Sequence, residues 1–238
     1  MSTAEHEATE RLTELTELAQ ALAPHRPALI TLTGPGGSGK SFVATAFLRA
    51  ATESGWQVTS YRNGRGIRVG AGTTVDDVVH DVSAALGIST DTTGRRPLRR
   101  LTERLGSHAQ RTPSIVVLDP YAPEPALEDR LKKDLFDPVR SSSEPVVLLI
   151  MSRTSLRKRL NPDLEIEIAT PSADSLRARL RAVTSTPDAA IDETELSQYV
   201  AAARSSPRLL ASLLAVLPLG VPSSDQPDGA ALRTRPQR

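Results

Sequence analysis

Short apolar runs alternate with amphipathic stretches along the first two thirds of the chain. Three apolar runs, at 28–33, 115–119 and 146–151, have the length and β-branched content of buried strands. Elsewhere leucine, valine, alanine or phenylalanine recurs every three or four residues, as on one face of a helix. These helical segments are 41–51, 75–86, 98–105 and 127–139. Strands that alternate with helices predict an α/β fold, in which helices cover both faces of a parallel sheet.

The pattern divides the chain into four parts. Residues 1–23 contain a leucine stripe that predicts an N-terminal helix, which prolines end before the first strand. Residues 24–170 hold the alternating core, with a glycine-rich stretch at 63–72 that we interpret as a loop. Residues 171–218 carry three leucine-bearing segments and predict a small helical lid. Residues 219–238 lack periodicity, are rich in proline, serine and arginine, and predict a disordered tail.

A glycine-rich segment between the first strand and the first core helix carries the strongest chemical signal. Residues 34–41 read GPGGSGKS and match the P-loop pattern G-x-x-x-x-G-K-[ST]. Glycines let backbone N–H groups surround an anion, and the helix N-terminus adds partial positive charge. Lys40 would then reach the β- and γ-phosphates, and the Ser41 hydroxyl would bind Mg²⁺. The alternative is a glycine-rich turn with a surface lysine. The predicted nucleotide-binding residues are Gly34, Pro35, Gly36, Gly37, Ser38, Gly39, Lys40 and Ser41.

An acid ends the second apolar run. Asp119 occupies the position of a Walker B aspartate, which holds Mg²⁺ together with the P-loop hydroxyl of Ser41. The alternative is an acid in a surface loop. The next acid is Glu124, which could orient the attacking water or could be a solvated loop glutamate. Pro120 stands directly after Asp119, where a second carboxylate would otherwise be expected.

An arginine follows the third apolar run. Arg153 comes after the strand at 146–151, and strand C-termini of an open α/β sheet point at the ligand crevice. A guanidinium there can bond a γ-phosphate oxygen. The alternative is a surface salt bridge. The predicted catalytic set is therefore Lys40, Asp119, Glu124 and Arg153, with Ser41 and Asp119 as metal ligands.

Composition limits the classes of partner. The 29 basic and 28 acidic residues nearly cancel, which gives no argument for a nucleic-acid or membrane partner. A local basic cluster at 153–159 lacks the interleaved aromatic residues of a nucleic-acid surface. The chain has no cysteine, which excludes disulfides and thiol catalysis. The N-terminus lacks an apolar signal-peptide segment and no apolar run is long enough for a bilayer, so we expect a cytoplasmic protein.

The order of these segments resembles a known class of P-loop proteins. The sequence runs through GPGGSGKS, TVDDVVHDVSAALGI, SIVVLD and VVLLIMSR to a helical lid. It resembles the STAND class of signal-transduction NTPases, which includes the NB-ARC and NACHT ATPases and is related to the AAA+ group. The resemblance covers residues 8–217. It implies that Arg153 is the sensor-1 arginine and that Pro207, in a Ser-Ser-Pro turn, packs near adenine. The Gly-Arg pair usual before the first helix is missing.

We expect an ATP-binding P-loop NTPase that hydrolyses ATP slowly with Mg²⁺. It would act as a signalling or assembly switch together with a protein partner or with further copies of itself. Two other functions stay open. A small-molecule phosphotransferase would need an arginine-rich lid, for which four arginines between 95 and 100 are candidates. A nucleotide-binding interaction module would bind ATP without turnover. A GTPase is disfavoured because the chain has no Asn-Lys-x-Asp motif.

Overall fold

The computed structural model describes residues 16–22, 26–59, 66–89 and 96–170, together with isolated positions between 172 and 201. The predicted tail and Pro207 lie outside the described residues, and so does most of the predicted lid. The sequence-based expectations for those segments stay predictions.

Six strands form one parallel sheet. They are β1 (Ala28–Thr33), β2 (Gln57–Val58), β3 (Ile67–Val69), β4 (Ser114–Tyr121), β5 (Val146–Met151) and β6 (Leu164–Glu167). The sheet order is β2-β4-β5-β1-β6, and every strand pairing is parallel. β3 also pairs with β4, and since β5 occupies the other side of β4, β2 and β3 follow one another along the same side. The predicted parallel α/β fold is confirmed.

Helices cover both faces of this sheet. They are α1 (residues 16–22), α2 (Lys40–Glu53), α3 (Val75–Leu86), α4 (Pro97–Ala109), α5 (Pro125–Leu131), α6 (Asp137–Arg140) and α7 (Arg157–Leu160). A π-helical segment, Lys132–Phe136, joins α5 to α6. Successive residues of β1 serve opposite faces: Leu29 packs in the core under α3, α4 and the α5–α6 region, whereas Ile30 packs in the core under α1 and α2. Burial on both faces explains why β5 is a continuous apolar run and why β1 is apolar except for the buried Thr31 and Thr33.

Local signals fix the ends of α3. The Thr74 hydroxyl accepts a hydrogen bond from Asp77 N, and the Asp77 carboxylate accepts one from Thr74 N, which together form a capping box. Gly87 closes the helix in the left-handed conformation, at φ 67°. The bounds of α3, Val75–Leu86, agree with the helical segment 75–86 predicted from the sequence.

The sequence predicts a loop over the glycine-rich stretch at 63–72, and this prediction is wrong for Ile67–Val69, which form β3. Ile67 and Val69 are buried on either side of the exposed Arg68, so the segment alternates as a strand does. A side chain at Gly66 would place its Cβ atom 2.6 Å from the Val117 carbonyl oxygen. Gly66, one of the glycines behind the loop interpretation, is therefore required by the close approach of the chain to β4.

The strand order brings the predicted functional residues to one edge. β5 pairs with β1 on one side and with β4 on the other. Because parallel strands point the same way, the P-loop after β1, Asp119 in β4 and Arg153 after β5 all leave the same edge of the sheet. That edge is the usual ligand crevice of open α/β sheets.

Candidate nucleotide-binding site

The loop between β1 and α2 has the backbone conformation of an anion-binding nest. Gly34, Gly37 and Gly39 have positive φ angles of 137°, 84° and 100°. Gly39 is the N-cap of α2, no side chain caps this helix, and its first turn carries no acid. The positive end of the helix dipole is therefore not neutralised by a carboxylate of its own first turn.

Gly34 fixes the start of this loop against the end of β6. Its Cβ atom, if present, would lie 2.2 Å from the Ile168 carbonyl oxygen. The Ile168 N–H donates to the Thr33 carbonyl at 2.8 Å, so the backbone after β6 is bound directly beside Gly34. Any side chain at position 34 would have to displace main-chain atoms.

Lys40 lies at the centre of the predicted site. Its ammonium group donates hydrogen bonds to the carbonyl oxygens of Gly34 and Pro35, at 2.6 and 2.8 Å. Burial lowers the pKa of Lys40, the Asp119 carboxylate acts against this shift, and the Arg153 guanidinium adds to it. The strand order puts the segments that carry Lys40, Asp119 and Arg153 at one edge of the sheet, and the roles of these three residues stay predictions.

The segments that carry Asp119 and Arg153 are tied to the P-loop strand. Asp119 is partly exposed within β4, and its peptide bond to Pro120 is cis. The Ser152 N–H donates to the Leu32 carbonyl at 3.0 Å, which attaches the segment before Arg153 to β1 just ahead of the P-loop. Arg153 itself is exposed. A guanidinium with this freedom can turn toward a phosphate that approaches from solvent.

Glu124 lies outside the sheet, at the start of α5. It is exposed at the N-cap of α5, and its side chain makes no capping hydrogen bond. Its carbonyl oxygen accepts the Glu128 N–H at 3.0 Å. The role of Glu124 stays a prediction.

The donors present fit magnesium. Ser41 and Asp119 offer a hydroxyl and a carboxylate, the hard oxygen ligands that Mg²⁺ prefers. No cluster of three or more His, Asp or Glu side chains that could hold a metal occurs within the described ranges. A magnesium ion held by these two groups would take its other ligands from phosphate and water, as in P-loop NTPases.

The sequence did not reveal a cluster beside this site. The buried carboxylate of Glu128 in α5 accepts a hydrogen bond from the Tyr121 hydroxyl at 3.3 Å and from Arg159 Nε at 2.9 Å. Burial raises the pKa of Tyr121, and the Glu128 carboxylate raises it further. In the sequence Glu128 looks like an ordinary first-turn acid, and Arg159 belongs to the basic run at 153–159. The one sequence signal of its burial is its position next to Leu127 and three residues before Leu131, beside the apolar stripe of α5.

The fold and this arrangement define a P-loop NTPase. The chain belongs to the AAA domain family, whose sequence profile matches residues 24–160. Within the part of the chain that the structure describes, no helix is both long and apolar enough to cross a membrane. A comparison with curated protein sequences gave no match.

Several solved structures are similar to this chain at low sequence identity. The RuvB Holliday junction branch migration motor of Thermotoga maritima has a TM-score of 0.50 at 15% identity, over 87% of this chain and 60% of that chain. A chain of the E. coli MS115-1 HORMA:CdnC:Trip13 complex has a TM-score of 0.47 at 14% identity, over 94% and 90%. A STAND protein with a tetratricopeptide repeat sensor from Pyrococcus horikoshii has a TM-score of 0.48 at 12% identity, over 84% and 29%. At such identities the RuvB likeness supports the fold alone.

We predict that two alanine substitutions in the P-loop differ sharply in their effect on stability. Gly34→Ala should lower the melting temperature, because the new methyl group would meet the Ile168 carbonyl and the φ of 137° disfavours an L-residue. Gly36→Ala is the matched control, since its Cβ atom would meet nothing within 4 Å. Thermal unfolding of both variants tests this, and equal melting temperatures would contradict the packing described for Gly34.

Proposed function

We propose that this chain binds Mg²⁺-ATP at its P-loop, hydrolyses it slowly and acts as a nucleotide-dependent switch together with a protein partner. The observation that carries the proposal is that three charged side chains lie at the same edge of the sheet. Lys40, in the P-loop that opens α2, lies at the same edge of the sheet as Asp119 in β4 and Arg153 after β5, and the charges of both groups act on its pKa. This combination offers a cation for the phosphates, an acid for the metal and a second cation at the adjacent strand end.

Each of these groups has a defined task in the proposed reaction. The ammonium of Lys40 would exchange its bonds to the Gly34 and Pro35 carbonyls for phosphate oxygens. Ser41 and Asp119 would hold Mg²⁺, which supplies neutralising charge between the phosphates. Arg153 would bond a γ-phosphate oxygen and so distinguish ATP from ADP. Catalysis of phosphoryl transfer depends on this positioning and on charge stabilisation.

Slow hydrolysis is expected because the chain offers only a poor candidate for the group that orients the attacking water. Pro120 follows Asp119 directly, and Glu124, the next acid, is exposed at the start of α5. A positioned general base contributes roughly 10²–10⁴ in rate. A bound ATP state that outlives the encounter with a partner suits a switch.

The finer assignment rests on the STAND resemblance. We propose that residues 24–170 form the NTPase unit and that residues 171–218 close over the nucleotide, with Pro207 near adenine. The partner would then recognise the closed, ATP-bound form. Arg153 follows the end of β5 by two residues, and β5 lies between the P-loop strand β1 and β4. This placement supports the proposed sensor-1 role.

The first test is nucleotide affinity. Lys40→Ala removes charge-assisted contacts worth roughly 1.5–3 kcal/mol each, so we expect ATP binding to weaken at least about tenfold. Arg49→Ala is the control, because Arg49 is a cation on the same helix that pairs with Glu53 at the surface. Calorimetric titration of both variants measures this, and a Lys40→Ala protein that binds ATP as wild type does would mean the site is misassigned.

The second test separates the metal from the fold. If Asp119 acts through Mg²⁺, Asp119→Asn should weaken ATP binding much more in Mg²⁺ than in EDTA. The same titration in both buffers gives the answer. Equal losses in the two buffers would leave Asp119 without a metal role.

The third test concerns turnover. We expect single-turnover hydrolysis well below one per second, against typical enzyme values of roughly 1–10³ per second. Glu124→Gln should change this rate little, and so should the control Asp129→Asn, which alters another exposed acid of the same region. A fast wild type that collapses only in Glu124→Gln would make Glu124 the water-orienting acid and end the slow-switch proposal.

A further inference from the structure

A polar cluster centred on the buried carboxylate of Glu128 joins the two segments that leave β4 and β5. It consists of Tyr121, Glu128 and Arg159, and we call it the Glu128 cluster. Tyr121 is the last residue of β4, two positions after Asp119, and Arg159 lies in α7, six positions after Arg153. The cluster therefore sits between the segment of the proposed metal ligand and the segment of the proposed γ-phosphate arginine.

The contacts in the cluster converge on one carboxylate. Glu128 is 8% exposed, and its Oε1 accepts the Tyr121 hydroxyl at 3.3 Å. Its Oε2 accepts Nε of Arg159 at 2.9 Å and also Nη2 of the same guanidinium. Lys132 then donates to the Arg159 carbonyl at 3.3 Å, which holds α7 to the end of α5 a second time. Both oxygens of Glu128 are thus engaged, one by each neighbouring segment.

A buried carboxylate is an inefficient way to gain stability alone. Its desolvation offsets much of the attraction to its partner, and apolar residues of the same volume often stabilise a fold equally well. What the ion pair adds is a fixed direction, because a guanidinium and a carboxylate meet in a defined geometry. The direction fixed here is that of α7 relative to the end of β4.

We propose that the Glu128 cluster is a positioning group that holds Asp119 and Arg153 in a set relation to each other. This rests on the function proposed above. Asp119 would act on the metal and Arg153 on the γ-phosphate, whereas the P-loop backbone and Lys40 also bind the phosphates that ADP retains. Loosening the cluster should therefore weaken Mg²⁺-ATP binding and leave ADP binding in EDTA unchanged. Residues that act on a site through the structure between them typically change its affinity by roughly 2–30-fold when they are replaced.

The test compares two nucleotides in variants of the cluster. Glu128→Gln keeps the shape of the side chain and removes its charge. Arg159→Gln removes the other partner, which is 47% exposed and therefore easier to replace without unfolding the protein. For each variant, calorimetry gives the affinity for Mg²⁺-ATP and for ADP in EDTA. We expect the ratio of the two affinities to fall by roughly tenfold in both variants. Arg159→Lys, which keeps the positive charge, should retain more of the wild-type ratio than Arg159→Gln does.

A matched ion pair at the opposite end of the sheet serves as the control. Arg140 donates to Asp163 at 2.7 and 3.0 Å, and Asp163 also accepts the Leu29 N–H at 2.8 Å, at the start of β1. Arg140→Gln removes a comparable ion pair far from the strand ends that carry the site. Its melting temperature should fall, and its ratio of affinities should equal that of wild type.

Three outcomes would overturn the proposal. Folded Glu128→Gln and Arg159→Gln proteins with the wild-type ratio would show that the cluster does not position the site. An equal fall of the ratio in Arg140→Gln would show a general effect of lost stability. A wild-type protein that binds no nucleotide would overturn the proposed function and this inference with it, whereas the first two outcomes leave the proposed function intact.

Discussion

The pairing of β5 with both β1 and β4 is the constraint on which the candidate site depends. β5 is bonded to β1 from Val147 to Met151 and to β4 from Val146 to Ile150. The two registers set how far each strand reaches toward the ligand edge. Because β1 continues into the P-loop and β4 carries Asp119, shifting either pairing by one residue would move a functional group by about 3.3 Å and turn its side chain to the other face.

This constraint also explains the electrostatics of the site. Lys40 is brought close to one acid and one further cation while it loses part of its hydration. The N-terminus of α2, which no side chain caps, adds partial positive charge to the site. The carbonyl oxygens that accept hydrogen bonds from the ammonium group hold it in place. A polyphosphate with a bound metal ion complements that pattern, because it supplies negative charge to two cations and a positive ion to the carboxylate.

The sequence predicted those parts of the fold whose signals are local. β1 and β5 are buried on both faces, and α3 is bounded by a threonine cap and a glycine. β3 escaped prediction because its alternation covers only Ile67–Val69 and follows a glycine that is needed for packing. Arg159 and Glu128 are separated by 31 positions, so their contact depends on tertiary structure and has no sequence signal. Lys40, Asp119 and Arg153 could be grouped beforehand because each follows or ends an apolar strand of one parallel sheet.

The packing of Gly34 changes what a comparison among descendants of this chain could reveal. Position 34 requires glycine for two reasons that do not involve nucleotide, its backbone angle and the carbonyl oxygen of Ile168. A lineage that had lost ATP binding would still keep this glycine in order to fold. Gly36 has neither restraint, since its φ is not positive and open space surrounds it. Selection that preserves Gly36 would therefore report on ligand binding, whereas selection that preserves Gly34 is expected from architecture even where no ligand is bound.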